Sequence, residues 1–405
     1  MLITKNAILD SLTDKKPGCI LLLKLPKKWD EHLVRKLSLL YSVQVIYALP
    51  VIKEGGHSGL IRKINHAVIN DNLRLVLFCI DFYAGMDHQF ITRITKTVKK
   101  VLVTFDDTLL HDFNAITSAA CDLVLTADPI SVLKYQEKLI PSCYMTLEAS
   151  EKIYRNQGNI KKNDVLFFGV LGKADRKDYI DYLSSRGINV RIVGGESGYV
   201  STETMVDEIN NSKIVINFSK TDRLSQQVWD MNFALKYRLQ FKGRIIESAL
   251  CGTPCISEYS PSIPLLFRDG EVPMFSNPSD CYKLVDRLLK DEDERQIISS
   301  KQYSTVLHNY SDCAQVEIIR QAIGELDKKV NSNSREIDIP FWYRKMVLRK
   351  RLRDVSAKPK LLYKEFYDYL REETKGKPYV KTCLVGDTLL WFLYWVVKEK
   401  VLRLR

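Results

Sequence analysis

Residues 240–257, QFKGRIIESALCGTPCIS, are the stretch on which the fold turns. They read as a helix ending at Cys251, stopped by Gly252, with Pro254 opening a short buried strand. A helix that turns at once into an apolar strand is a unit of a parallel α/β sheet. Within it, Arg244 and Glu247 stand one turn apart, and Glu247 lies among Ile245, Ile246, Ala249 and Leu250. A carboxylate among apolar neighbours is costly unless something pairs with it. A vicinal diol meets that need, since its two hydroxyls can donate to both oxygens. An Arg244–Glu247 ion pair on an exposed face fits the spacing equally well.

Outward from this segment the same pattern repeats. Upstream lie apolar runs at Val165–Gly169, Val190–Gly194 and Ile214–Phe218, and downstream one at Val272–Phe275. Before the polar stretch 151–163 come Cys19–Leu23, Val43–Ala48, Leu73–Ile80, Val101–Phe105, Asp122–Thr126 and Cys143–Leu147. The runs are short and do not alternate, which is how strands covered on both faces read, and helix-like segments separate them. The expected architecture is α/β: two Rossmann-like parallel-sheet domains facing across a cleft, 1–150 and 151–330. A polar linker then leads to a helical basic extension, 331–405.

The composition fits a soluble globular chain: 405 residues, 45% hydrophobic and 27% charged. Pro (13) and Gly (18) are too few for a low-complexity chain. The 9 cysteines are scattered without a CxxC pair, so neither a disulfide scaffold nor a structural zinc site is expected. The N-terminus has no apolar core with a cleavage site, and no run reaches the ~18 apolar residues of a spanning helix. The expected setting is the reducing cytoplasm. The net charge of +12 is uneven, because residues 335–405 hold 18 Lys and Arg against 9 Asp and Glu. The basic character belongs to the extension. There, PFWYRKMVLRKRLRDV forms an amphipathic pattern, with Phe341, Leu348, Leu352 and Val355 on one side. Arg344, Lys345, Arg349, Lys350, Arg351 and Arg353 cover much of the rest.

In open parallel sheets ligands bind beyond the carboxyl ends of the strands. Gly169 follows one such strand, with Lys173, Arg176 and Lys177 next, an arrangement suited to phosphate or to an ordinary turn with solvated cations. Gly194-Gly195 end the next strand. Neither a dinucleotide fingerprint nor a P-loop is present. In the first domain Asp81 and Asp106-Asp107 follow strands, and His57 lies in the glycine-rich stretch Gly55-Gly56-His57-Ser58-Gly59, read as a loop able to reach the cleft. Asp106, Asp107 and His57 are the acid/base candidates. An aspartate after a strand also serves as a helix N-cap. The Asp107, His111, Asp112 spacing superficially resembles metal ligands, but loop acids with a surface histidine explain it, and no metal site is expected.

Lys242-Gly243-Arg244, Glu247, Gly252 and Pro254 together resemble the "KxR-x-x-E-x-x-x-x-G-x-P" segment of GT-B glycosyltransferases, in the group 1 branch that includes spore-maturation (CgeB-like) proteins. Leu266-Phe267, Gly270-Glu271 and His308-Asn309-Tyr310 are similar to the end of that branch. Phe168-Gly169, Asn217-Phe218-Ser219, Thr104-Phe105-Asp106-Asp107 and the Asp122–Asp128 run with Tyr135 fit its earlier strands. The match spans about residues 74–320 and is more specific in the second domain.

This resemblance implies a metal-independent hexosyltransferase that moves a sugar from a nucleotide-diphosphate sugar to a glycan, lipid-linked or other surface-polymer acceptor, without a cofactor. Glu247 would hold the ribose hydroxyls. Lys242 and Arg244, with Lys173 or Arg176, would neutralise the diphosphate, and Gly169 and Gly194 would let it approach the backbone. Two features of related enzymes are absent. The first glutamate of an E-x7-E pair is Leu239 here, and Leu25-Pro26-Lys27-Lys28-Trp29 replaces a glycine-rich loop after the first strand. A non-catalytic nucleotide-sugar-binding module, and an epimerase or hydrolase, remain as alternatives. Residues 340–405 either meet an anionic membrane surface or pack on the body. A nucleic-acid partner is not expected.

Overall fold

The computed structural model describes residues 16–24, 30–71, 73–79, 85–146, 150–172, 175–195, 198, 200–220, 238–328, 337–373 and 378–400. The first sheet has six strands in the order β2-β1-β3-β4-β5-β6. They are β1 (Gly18–Leu23), β2 (Ser42–Tyr47), β3 (Leu75–Cys79), β4 (Lys99–Thr104), β5 (Leu123–Thr126) and β6 (Ser142–Tyr144). The second has five, in the order β11-β10-β9-β7-β8. These are β7 (Asn163–Phe168), β8 (Val190–Val193), β9 (Ser212–Asn217), β10 (Cys255–Glu258) and β11 (Met274–Phe275). Every pairing between them is parallel. Each apolar run marked in the sequence is one of these strands.

Helices cover both faces of each sheet, which is why the strands carry unbroken apolar runs. In the first domain these are α1 (Asp30–Ser38), α2 (Ala48–Asn70), α3 (His88–Thr92), α4 (Asp107–Ser118) and α5 (Pro129–Glu137). In the second they are α6 (Arg176–Ser185), α7 (Thr202–Asn210), α8 (Arg244–Leu250), α9 (Ile263–Leu266), α10 (Pro278–Lys290) and α11 (Glu292–Asn309). Helix α8 ends as its sequence requires: Gly252 has φ +68°, a conformation that glycine adopts without a Cβ clash.

Helix α12 (Asp312–Lys328) departs from the expected division of the chain. Its Ile319, Ile323 and Leu326 join the core of the first domain, beside Leu21, Leu33, Leu37 and Leu75. Lys99 Nζ adds a hydrogen bond to the carbonyl of Leu326 at 2.9 Å. A polar knot pins the return: Asp312 accepts from Ser150 Oγ at 2.7 Å and pairs with Arg35 at 3.2 Å and with the buried Lys36 at 3.6 Å.

The extension forms α13 (Phe341–Asp354), α14 (Pro359–Glu373) and α15 (Pro378–Lys400), and it packs on the first domain. Tyr343, Val347, Leu348, Leu352, Tyr369 and Leu384 share a core with Leu110 and Phe113 of α4. The basic residues of α13 are not a solvated face. Arg344 and Arg351 are buried, and Arg351 reaches Asp87 at 2.7 Å. Arg349 pairs with Asp387 at 2.8 Å, Lys345 with the same carboxylate at 3.5 Å, and Lys350 with Asp354 at 3.0 Å. The packing reading of the extension therefore holds for α13. Among the described residues, no helix is long and apolar enough to cross a membrane.

Candidate active site

The carboxyl ends of both sheets open onto one cavity of about 410 Å3 between the two domains. Its walls are the residues that follow strands, as parallel topology requires. Phe105 and Asp106 follow β4, Ala127 follows β5 and Thr146 lies beyond β6. Across the cleft, Gly169 follows β7, Gly194-Gly195 follow β8, and Lys242, Arg244 and Glu247 come from the α8 region.

The glycines let the two strand exits meet backbone to backbone. Gly169, Gly194 and Gly195 have φ of +138°, +83° and +68°. A Cβ at Gly195 would stand 2.7 Å from the Gly169 carbonyl oxygen, and one at Gly169 would collide with the Arg244 guanidinium. The cavity floor is thus bare backbone, with its amides close to any ligand.

Arg244 clamps this floor. Its Nε donates to the Phe168 carbonyl and its Nη1 to Asn217 Oδ1 at 3.3 Å, while the guanidinium stacks 5.5 Å from the Phe167 and Phe168 ring centres. These contacts fix a positive charge at the cavity wall. Lys242 Nζ donates to Gln240 Oε1. Glu247 is half-buried and accepts from Tyr154 Oη at 3.0 Å. Tyr154 lies in the stretch read from sequence only as a polar linker, and nothing local marks it as a partner of Glu247.

The two adjacent aspartates part company. Asp106 occupies the N-cap position of α4 without capping it, is exposed, and lines the cavity. Asp107, one residue on, is 0% exposed and does not belong at the cleft. It accepts from Asn114 Nδ2, Thr126 Oγ1 and Tyr135 Oη, each at 2.9 Å. Burial raises its pKa, and those three hydrogen bonds oppose the rise. Asp107 is a buried brace between α4, β5 and α5, which corrects its expected acid/base place.

His57 is likewise not at the cleft. The stretch read as a glycine-rich loop is inside α2, where Gly56 at φ +69° makes a kink. His57 is buried there against Glu365 of α14. Arg176 is also corrected: it is 3% exposed, and its Nη1 and Nη2 donate to the carbonyls of Val170 at 2.8 Å and Lys220 at 3.3 Å. It braces the loop from behind, whereas Arg244 lines the cavity. Lys173 and Asp81 lie outside the described residues. His111 is buried on the Tyr135 ring at 4.6 Å, and burial lowers its pKa to about 4. Among the described residues no cluster of His, Cys, Asp or Glu is arranged to hold a metal ion.

One brace was missed in the sequence altogether. Glu258, buried at the end of β10, pairs with Lys220 Nζ at 2.8 Å and accepts from the backbone N–H groups of Ser219 at 3.1 Å and Lys220 at 3.0 Å. It ties the exit of β9 to that of β10.

Residues 176–317 match the model of the glycosyl transferase-like family. No curated protein matches the chain by sequence. Among solved structures, HepE of Anabaena, in complex with UDP and glucose, superposes over 78% of this chain and 100% of its own, with a TM-score of 0.54 and 12% identity. Sucrose-phosphate synthase from Thermosynechococcus elongatus covers 77% of this chain and 99% of its own, at a TM-score of 0.55 and 8% identity. A glycosyltransferase from Rickettsia africae covers 78% and 100%, at 0.55 and 9%. Such low identities speak to the fold. Residues 176–317 are thus similar to the glycosyl transferase-like family, and the chain that carries them has the GT-B fold of two parallel-sheet domains facing across a cleft.

Proposed function

We propose that the chain transfers a hexose from a nucleotide-diphosphate sugar to a hydroxyl of a glycan or lipid-linked acceptor. The observation that carries this reading is the interdomain cavity, with Lys242, Arg244 and Glu247 on one wall and Asp106 on the other. The donor's diphosphate lies over the glycine floor, with its charge facing Lys242 and Arg244. The ribose hydroxyls donate to Glu247, whose carboxylate has acceptor capacity beyond its bond from Tyr154.

The acceptor oxygen attacks the anomeric carbon, the bond from that carbon to the phosphate oxygen breaks, and the nucleoside diphosphate leaves with the electron pair. The hydroxyl proton passes to the Asp106 carboxylate. Negative charge grows on the leaving diphosphate, so cations already held in place there lower the barrier. The ligands named for HepE, UDP and glucose, support UDP-glucose as the first donor to try. On the extension Tyr363 and Tyr367 of α14 and Tyr379, Leu389 and Leu390 of α15 are exposed, and such apolar groups are what an anionic membrane carrying a lipid-linked acceptor would meet.

The test is a thermal-shift panel of UDP-, GDP- and ADP-sugars on the wild type and on Glu247→Ala. A donor at ~100 times its Kd adds about 2.7 kcal/mol to the folded state. One nucleotide class should raise the melting temperature, and Glu247→Ala should abolish the rise. A folded wild type that responds to none of them refutes the donor site.

A further inference from the structure

Residues 238–242 connect the two domains. Their backbone belongs to the second domain: Leu239 bridges to Lys220, and the Gln240 N–H donates to the Ser219 carbonyl at 2.9 Å. The side chains of Arg238 and Gln240 reach the first domain. Arg238 Nη1 donates to the Thr108 carbonyl at 2.6 Å, and Gln240 Nε2 lies 3.3 Å from both the Phe105 carbonyl oxygen and Asp106 Oδ1. Gln240 is 6% exposed, so these contacts are shielded from water.

The chemistry of the three side chains fixes the order of this chain. An ammonium only donates and a carboxylate only accepts, whereas an amide does one at each end. Lys242 therefore holds the oxygen end of Gln240, and that turns the NH2 end toward Asp106. Lys242 has three donors, so it can face a phosphate oxygen while still holding the amide. Among the described residues Asp106 Oδ2 has no hydrogen-bond partner, so one carboxylate oxygen is held and the other faces no protein donor. No other described side chain links the wall that meets the donor to the carboxylate on the acceptor side.

We propose that Gln240 is a positioning residue that couples the two halves of the site: Lys242 orients its amide, and its amide holds the Asp106 carboxylate toward the acceptor hydroxyl. The inference rests on the donor and acceptor assignment above. It accounts for a polar side chain buried between domains, immediately beside the apolar Leu239.

The experiment is a double-mutant cycle with UDP-glucose, reading nucleotide release for kcat and donor KM, and UDP calorimetry for affinity. Gln240→Leu keeps the size and removes the hydrogen bonds to Lys242, Phe105 and Asp106. Expected for Gln240→Leu are a UDP Kd and donor KM within about threefold of wild type, and a kcat lowered roughly 100-fold, the scale of a displaced proton acceptor. In an Asp106→Asn background, Gln240→Leu should cost nothing further, because both changes disable one unit. Unchanged UDP binding also shows that the variant is folded, and Gln240→Met gives a second apolar replacement for the same readout. Losses that multiply, or a Gln240→Leu defect that falls on UDP affinity instead of kcat, overturn the coupling. A wild type that binds no UDP overturns the donor assignment and this inference with it. A wild type that binds UDP, with variants whose losses multiply, overturns the inference alone.

Discussion

His57 and Glu365 stand 308 positions apart and share two hydrogen bonds: the His57 backbone N–H donates to Oε1 at 2.6 Å, and its ring Nδ1 lies 3.1 Å from Oε2. The contact depends on the kink beside it, since a Cβ at Gly56 would collide with the Glu365 carboxylate and press on Leu361. Next to it Arg351 pairs with Asp87, which also caps α3 through the Phe90 N–H at 3.1 Å. The extension is thus keyed into a notch of the first domain by buried charge as well as by apolar packing.

Glu365→Ala should remove the buried acceptor of both the His57 N–H and its ring Nδ1, for a loss of about 3 kcal/mol. Urea unfolding measures the loss. Hydrogen exchange over α13 and α14 should rise before that of the two sheets. Glu365→Gln keeps an acceptor oxygen and should lose less.

Acid should loosen the same joint. Burial alone would raise the pKa of Glu365, but the hydrogen bond and charge of His57, with Arg351, hold it at about 2. A folded value below the ordinary 4.5 means the carboxylate stabilises the docked extension above about pH 4.5, and this fades as pH falls toward 2. His111 gives a second window, because burial lowers it from 6.5 to about 4. The fold keeps it neutral, so stability should fall as pH drops from 6.5 to 4. Melting temperatures of His111→Phe should decline less than wild type across that interval, and those of Glu365→Gln less than wild type below it.

The adjacent aspartates give a clean separation. Asp107→Ala strands Asn114, Thr126 and Tyr135 in the interior and should cost about 3 kcal/mol. Asp106→Asn should leave the melting temperature nearly unchanged while lowering turnover roughly 100-fold. Denaturation and nucleotide-release assays on both variants check the pair; equal stability losses would contradict the assignment.

Gly195→Ala should damage the site through the backbone. The position has φ +68°, and the new Cβ would meet the Gly169 carbonyl oxygen, which cannot swing aside as a side chain could. The strained conformation costs about 1–2 kcal/mol, and parting the two loops should weaken UDP binding by at least about tenfold. Calorimetry with UDP reads the effect.

The strands and the turn at Gly252 were legible because local pattern determines them: apolar runs without alternation, and a glycine where only glycine fits. Glu247, Arg244 and Lys242 could be found for the same reason, since they share one short segment. His57 could not be placed, because Gly55-Gly56-His57-Ser58-Gly59 looks like a loop until α14 arrives to fill the notch beside it. Nor could Asp106 be told from Asp107, since which of two neighbours faces inward depends on where α4 begins. Arg176 reads as a diphosphate ligand and the cations of α13 as open to a membrane surface, because their true partners, backbone carbonyls and distant carboxylates, leave no local trace. Helix α12 sits next to the second domain in sequence and belongs to the first in space.

That last displacement bears on how the protein is made. The six strands of the first sheet precede the second sheet, yet one face awaits α12, and α4 awaits α13 and α14, all of which are translated after the second sheet. On the ribosome the nascent first domain must hold Leu33, Leu37, Leu110 and Phe113 uncovered, and Asp87 without Arg351, while the second domain forms. The second domain can therefore fold to completion as it emerges, and the first can close only once the extension has been synthesised.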